Sequence, residues 1–241
     1  MSIEKFTSKA DQYAKGRPSY PAAAVDYLKT LVNDDVIIAD IGAGTGKFTE
    51  LIAQAGYEVF AVEPNPDMYA QLQLTLAEYQ NAKPIFATSE ETTLADSNVD
   101  IITVAQALHW FDLEKFEAEC KRILKPDGWV IALYNNVISK VDHQIVLHDN
   151  DGKEISRQAP YKKKSTDEFF TNPVEKEFTN LITYTRESWF AFMMSHSHSP
   201  LPSDENYHKY VEKINAIFDC ENKEDLLHRE VITTVYAEQL N

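Results

Sequence analysis

Two cysteines among 241 residues leave little room for sulfur chemistry. Cys120 and Cys220 lie far apart and neither belongs to a C-x-x-C pair. Neither a disulfide framework nor a zinc site is expected, and a reduced, cytoplasmic setting is the default. No apolar run approaches the ~20 residues that span a bilayer. The opening residues, Met1-Ser2-Ile3-Glu4-Lys5, turn polar at once, so neither a signal peptide nor a membrane partner is expected. Positive charge is short as well: 23 Lys and Arg stand against 38 Asp and Glu, for a net charge of −15. Such a surface repels phosphate backbones, and a nucleic-acid partner is not expected. The one basic cluster, Lys162-Lys163-Lys164, reads as a solvated loop. Glycine is scarce too, seven in all, yet positions 42, 44 and 46 are all glycine.

What is present is ample apolar content, 44% of the chain, in a length that suits one α/β domain with an elaboration. The glycines sit in Asp40-Ile41-Gly42-Ala43-Gly44-Thr45-Gly46. An apolar run, Val36-Ile37-Ile38-Ala39, leads in, and an amphipathic segment from Lys47 to Ala53 leads out. That order reads as buried strand, glycine turn, helix. Glycine at such a turn takes positive φ and lets a ligand approach the main chain. The helix behind it aims free N–H groups and a positive dipole end at that ligand. A dinucleotide fingerprint wants G-x-G-x-x-G, and the third glycine here comes one residue early. A P-loop wants G-x-x-x-x-G-K-[ST], but Ile41 and Phe48 occupy its first and last positions.

Strands and helices alternate through the first half, which predicts a parallel sheet covered on both faces. Strands are expected at 36–40, 57–62, 84–87, 100–105 and 129–134, with helices at 47–55, 68–79 and 113–124 between them. Lys125-Pro126-Asp127-Gly128 is a turn, since proline fixes φ and glycine supplies φ > 0. Residues 135–177 lack clean periodicity and read as an insertion with short elements. A strand at 178–184, helices at 187–195 and 205–218, and a last strand at 230–236 follow. The expected organisation is an N-terminal lid and helix at 1–34, a cofactor-binding core at 35–135, an insertion and substrate cap with the sixth strand at 136–228, and a final strand at 229–241.

The pattern resembles class I S-adenosylmethionine-dependent methyltransferases. The resemblance rests on Asp40-x-Gly42-x-Gly44-x-Gly46, Val62-Glu63-Pro64-Asn65 with Met68, Asp100-Ile101-Ile102 and Leu124-Lys125-Pro126-x-Gly128. The segments Tyr13 to Pro21 and Ala105-Gln106-Ala107-x-His109-Trp110-Phe111 resemble the small-molecule branch called type 11, to which trans-aconitate methyltransferase is similar. The resemblance implies a Rossmann-like, doubly wound α/β sheet of seven strands, mostly parallel, closed by an antiparallel C-terminal pair. It implies S-adenosyl-L-methionine as cofactor and a small-molecule acceptor, with a carboxylate among the candidates and Arg17, Arg186 or the lysine cluster as counter-ions. The rival is a catalytically silent protein that keeps the cofactor pocket for regulation or partner binding.

Roles follow residue by residue from that resemblance. Gly42, Gly44 and Gly46 form the cofactor turn. Glu63, at the end of the second strand, accepts both ribose hydroxyl protons, as in dinucleotide folds. Pro64 and Met68 flank the adenine, and Ser89 and Glu90 meet its edge. Asp40 holds the ammonium of the methionine part, directly or through water, and Arg17 its carboxylate, from a lid that also carries Tyr13 and Tyr20. Gln106 follows the fourth strand beside the cofactor. Tyr20, Trp110 and Phe111 face the acceptor. His109 is the candidate general base, or a wall of the pocket with Trp110 and Phe111. His196-Ser197-His198, with no acidic residue or cysteine close by in sequence, reads as a loop near the substrate pocket, with Trp189 on the same wall.

Overall fold

A computed structural model describes residues 16–32, 35–138, 147–148, 154–155, 161–196 and 199–240. The chain order begins α1 (Ala22–Leu31), β1 (Ile37–Ile41), α2 (Lys47–Gln54), β2 (Glu58–Val62), α3 (Pro66–Leu76), β3 (Ala82–Ile85) and β4 (Val99–Ala105). A short 3₁₀ turn, Leu108–Trp110, precedes α4 (Leu113–Ile123) and β5 (Leu124–Ile138). Then come the two-residue strands β6 (Leu147–His148) and β7 (Glu154–Ile155), α5 (Tyr161–Phe169), β8 (Val174–Tyr184), α6 (Arg186–Met194), α7 (Tyr207–Glu221) and β9 (Leu227–Gln239).

Seven strands form one sheet in the order β3-β2-β1-β4-β5-β9-β8. The first five run parallel, and β9 is antiparallel to both of its neighbours. The sheet is therefore the expected one. β1 is buried along almost its whole length because helices cover both faces of a parallel sheet. Alternate residues feed two cores. Ile38, Ile101, Ile131 and Leu133 join Leu28, Phe48, Ile52 and Leu72 on one face. Ala39, Ile102, Val104, Val130 and Ala132 join Phe116, Cys120, Ile123 and Phe169 on the other. A third cluster, Tyr184, Trp189, Phe192, Phe218 and Leu227, is the core of the C-terminal cap.

Local chemistry sets the helix starts. Asn65 caps α3 by accepting from the Asp67 and Met68 N–H groups, both at 3.0 Å, with Pro66 at the first helical position. Thr185 and Ser188 form a reciprocal capping box on α6. The Lys125–Gly128 turn lies inside β5, where it loops out of register between the Val99–Leu124 and Ile101–Trp129 pairs. Asp127 there takes a positive φ of 63°.

Two readings of the 135–177 stretch change. Residues 161–169 are helical, so the lysine cluster lies on α5 rather than in a loop. Strand β5 continues to Ile138 because it pairs with β9 through Ile138–Glu230. Its length is set by its partner and not by its own residue pattern.

Candidate functional site

The glycine turn joins β1 to α2 at the carboxyl end of the sheet. Gly42, Gly44 and Gly46 all take positive φ, 71°, 59° and 87°. The Gly42 and Ala43 N–H groups donate to the Val62 carbonyl at 2.9 and 3.0 Å, which ties the turn to the end of β2. A Cβ on Gly46 would meet Leu72 Cδ1 of α3 at 2.8 Å. Gly46 offers α2 no side-chain cap. The neighbouring Thr45 hydroxyl is buried and has no hydrogen-bond partner among the described residues. A buried hydroxyl without a partner costs free energy unless a ligand supplies one.

Asp40 lies behind this turn. It has no exposed surface, and its carboxylate accepts from Thr49 Oγ1 of α2 at 2.6 Å and Thr103 Oγ1 of β4 at 2.9 Å. The carboxyl thus clamps strand to helix and does not present itself to a ligand. Burial pushes its pKa up to about 6, against the pull of the two threonine hydroxyls. Between about pH 4 and 6 the folded state holds a proton that the unfolded state has released. Asp40's contribution to stability is therefore full below that window and is lost as the pH rises through it. Asp40→Asn should be more stable than the wild type at pH 8, by about 1–3 kcal/mol, and lose that advantage at pH 4. Urea unfolding at both pH values measures it; parallel pH dependence of the two proteins would contradict the assignment.

Glu63 follows β2 and is nearly buried. One carboxylate oxygen accepts from the Gly44 N–H at 2.8 Å and the other from the Asn65 N–H at 2.8 Å. Desolvation raises its pKa, opposed by these two hydrogen bonds. Each oxygen keeps a second lone pair for a hydroxyl donor. Pro64 is half-buried beside it, and Met68 is buried under the first turn of α3.

Residues 89–94 are held against α4 by a charged cluster. Glu119 accepts from the Thr92 N–H and hydroxyl and from Arg122, whose guanidinium also donates to the Leu94 carbonyl. Burial opposes ionisation of Glu119, but Arg122 and Thr92 outweigh it and hold its pKa below the usual carboxylate range. Ser89 is buried in this segment. Glu90 accepts from the Asp112 N–H at 3.1 Å. Glu90, Trp110, Phe111, Asp112 and Lys115 line a shallow pocket of about 560 Å³. Three expected site residues, Glu90 from one segment and Trp110 and Phe111 from another, therefore share one wall.

Past β4, Gln106 takes a positive φ of 62° and its amide donates to the Asn135 carbonyl at 3.1 Å. The His109 ring lies 4.9 Å from Trp110 and 6.2 Å from Tyr134, in an aromatic wall. Phe111 packs edge-on against Phe116 and sits over Gly42.

The segment at 16–21 crosses above these strand ends. The Ser19 carbonyl accepts from Asn180 Nδ2 of β8 at 2.9 Å and, at 3.5 Å, from Asn135 Nδ2 of β5. Tyr20 is buried edge-on against Phe48 of α2, 5.0 Å between ring centroids, and so belongs to the core. Arg17 turns towards α6, donating to the Ser195 carbonyl at 3.4 Å with its guanidinium 5.8 Å from the Phe192 ring. Arg186 ion-pairs with Asp219 across the cap. A Cβ on Gly16 would lie 2.1 Å from the Phe192 nitrogen, and backbone cannot yield there. Gly16→Ala should release the strap from α6 while the sheet stays folded, so that limited trypsin digestion cuts after Lys15, the bond beside the strap that no proline blocks, at least tenfold faster than in the wild type. Equal cleavage rates would refute the contact.

Trp189 is buried in the cap core and donates through Nε1 to the Ile214 carbonyl, so it is no pocket wall. His196 stacks on Phe192 and contacts the Met193 carbonyl through Nδ1, whereas Tyr13 and His198 fall outside the described residues. Among the described residues no three His, Cys, Asp or Glu side chains gather as a metal site, and no helix is long and apolar enough to cross a membrane. Residue patterns missed Thr45, Thr49, Thr103, Asn135 and Asn180. Of these only Thr45 lies in the glycine turn itself; the others lie inside a helix or strands, and folding alone brings them to the site.

Residues 39–132 match the family model for a methyltransferase domain. An uncharacterized methyltransferase of Mycobacterium tuberculosis is 38% identical over 135 residues, which cover 56% of this chain and 53% of that protein. The chain thus spans about half the length of the first such relatives. An uncharacterized methyltransferase of Schizosaccharomyces pombe is 26% identical over 97% of this chain and 96% of its own. The solved structure of a putative type II methyltransferase from Anaeromyxobacter dehalogenans aligns over 92% of this chain and 97% of its own, at a TM-score of 0.68 and 22% identity.

Proposed function

We propose that this chain, whose residues 39–132 match a methyltransferase domain, is a class I S-adenosylmethionine-dependent enzyme that transfers the methyl group of S-adenosylmethionine to a small-molecule acceptor. The observation that carries the reading is the convergence of the Glu63 carboxylate and the buried, partnerless Thr45 hydroxyl on one positive-φ glycine turn. These groups fit the cofactor: a carboxylate with spare lone pairs for two ribose hydroxyls, and a hydroxyl and uncapped helix start for its polar end. Pro64, Met68, Ser89 and Glu90 would bound the adenine. Asp40 holds the turn from behind, where Thr49 and Thr103 engage it.

When bound, S-adenosylmethionine supplies a methyl carbon made electrophilic by its sulfonium; an acceptor lone pair forms the new bond as the carbon–sulfur bond breaks. The chain's own task is to hold the acceptor in line and exclude water, and positioning of that kind can supply much of the acceleration. His109, Trp110 and Phe111 form one wall, and the strap at 16–21 covers the strand ends. His109 serves as a wall in this arrangement, because a general base matters only for an acceptor proton of high pKa. A small acid is the favoured acceptor class. Its support is the sequence resemblance to the type 11 branch, to which trans-aconitate methyltransferase is similar, and Arg17, whose guanidinium lies at the cap beside Phe192.

Thermal unfolding tests the donor. S-adenosylhomocysteine at about 100 times its dissociation constant should contribute roughly 2.7 kcal/mol and raise Tm by about 5–10 °C, with no response to NAD. A Tm that rises with NAD alone would sink the reading. Transfer of labelled methyl across a panel of small acids, amines and phenols then tests the acceptor class.

A further inference from the structure

Gln106 combines three observations. It is the first residue after β4, it carries a left-handed φ of 62°, and it is tied twice to the neighbouring strand. Its N–H donates to the Leu133 carbonyl at 2.9 Å and its side-chain amide to the Asn135 carbonyl at 3.1 Å. A residue with a Cβ held at positive φ is strained, and it persists only where the surroundings over-determine it. Both ties are to β5. The receiving residue is itself fixed: Asn135 Oδ1 accepts from the buried Thr233 hydroxyl of β9 at 2.6 Å.

The 3₁₀ turn that carries His109 and Trp110 begins two residues later. The direction in which the backbone leaves Gln106 therefore sets where that aromatic wall lies. We infer that Gln106 is a positioning residue for methyl transfer: its left-handed backbone, locked to β5 through the Asn135 carbonyl, aims the His109–Phe111 turn at the acceptor. This rests on the proposed methyltransferase reading for its purpose, though not for its geometry. It also gives Gln106 a role besides contact with the cofactor, since one N–H of its amide is engaged on β5.

Fluorine NMR of the full chain labelled with 5-fluorotryptophan tests it. The three tryptophans give three resonances, with Trp110 in the turn and Trp189 in the cap core as an internal control. Gln106→Gly accepts the positive φ without strain and removes the amide, so it should fold at least as well as the wild type. Its Trp110 resonance should shift or broaden while that of Trp189 stays in place. Gln106→Lys restores a donor of similar reach and should return the Trp110 resonance towards its wild-type position. Affinity for S-adenosylhomocysteine should stay within threefold of wild type in both variants. An unmoved Trp110 resonance in Gln106→Gly would overturn the proposal, as would a loss of cofactor affinity above tenfold, which would make Gln106 a cofactor contact. If the wild type fails to bind S-adenosylhomocysteine, the methyltransferase reading fails, and the Trp110 response of the ligand-free protein still decides the positioning role.

Discussion

Glu63→Ala is expected to weaken S-adenosylhomocysteine binding at pH 7.5 by at least 100-fold while leaving the protein folded. A hydrogen bond to a charged acceptor contributes roughly 1.5–3 kcal/mol. Two ribose hydroxyls on one carboxylate therefore amount to roughly 3–6 kcal/mol, or about 10²- to 10⁴-fold in affinity. The same carboxylate restrains the turn from below, through the Gly44 and Asn65 N–H groups. Its removal frees the turn as well as the ribose, which adds to the loss. Stability should change little, because burying the carboxylate already raises its pKa and disfavours the charge. Glu63→Gln should fall between the two, since its amide accepts at one oxygen only. Acidification should imitate the substitution: affinity is full where Glu63 is ionised and falls as the pH drops through its raised pKa. Calorimetric titration measures the affinity and far-ultraviolet circular dichroism checks the fold. A dissociation constant within threefold of wild type in a folded Glu63→Ala protein would remove Glu63 from the cofactor site.

The part of the fold that was legible in sequence is the part built from local signals. Val36 to Ala39 are apolar in a row and the glycines follow at once, so strand, turn and helix could be placed to within a residue or two. The Tyr161–Phe169 helix was not legible. Among its described side chains only Thr166 and Phe169 are buried, and so few buried positions leave no apolar period to read. The site divides in the same way. Gly42 and Glu63 announce themselves by residue type and spacing. Asp40 did not announce its role, because one of its two partners, Thr103, lies 63 residues away on a neighbouring strand. The anchors of the strap were invisible in sequence: Asn180 holds Ser19 across 161 residues, and Gly16 meets a cap helix that only the folded sheet brings near. Contacts between distant segments depend on register, and nothing in a residue's own neighbourhood encodes them.

Gly42→Ala should be the most damaging single methyl in the core of the site. At φ 71° an alanine takes a left-handed backbone that costs roughly 1–2 kcal/mol. Its Cβ would also stand 2.6 Å from Ala107 Cβ and 3.1 Å from Phe111 Cζ. Ala107 is buried and has no flexible end to swing aside, so the turn and the Leu108–Trp110 segment must move apart. Overpacking of this kind costs roughly 1–3 kcal/mol more. The expected sum is about 2–5 kcal/mol, a fall in Tm of about 5–15 °C for a chain of this size. Gly56→Ala is the matched control: its φ is 93°, but a Cβ there meets nothing within 4 Å, so only the backbone cost applies. Adding Ala107→Gly to Gly42→Ala removes the nearest clashing atom and should recover at least 1 kcal/mol, a coupling that a double-mutant cycle isolates. Strictly additive losses would mean that the cofactor turn and the acceptor turn do not touch at this point. Recovery would place donor and acceptor sides of the site in direct van der Waals contact through one glycine, so that a shift in either is felt by the other.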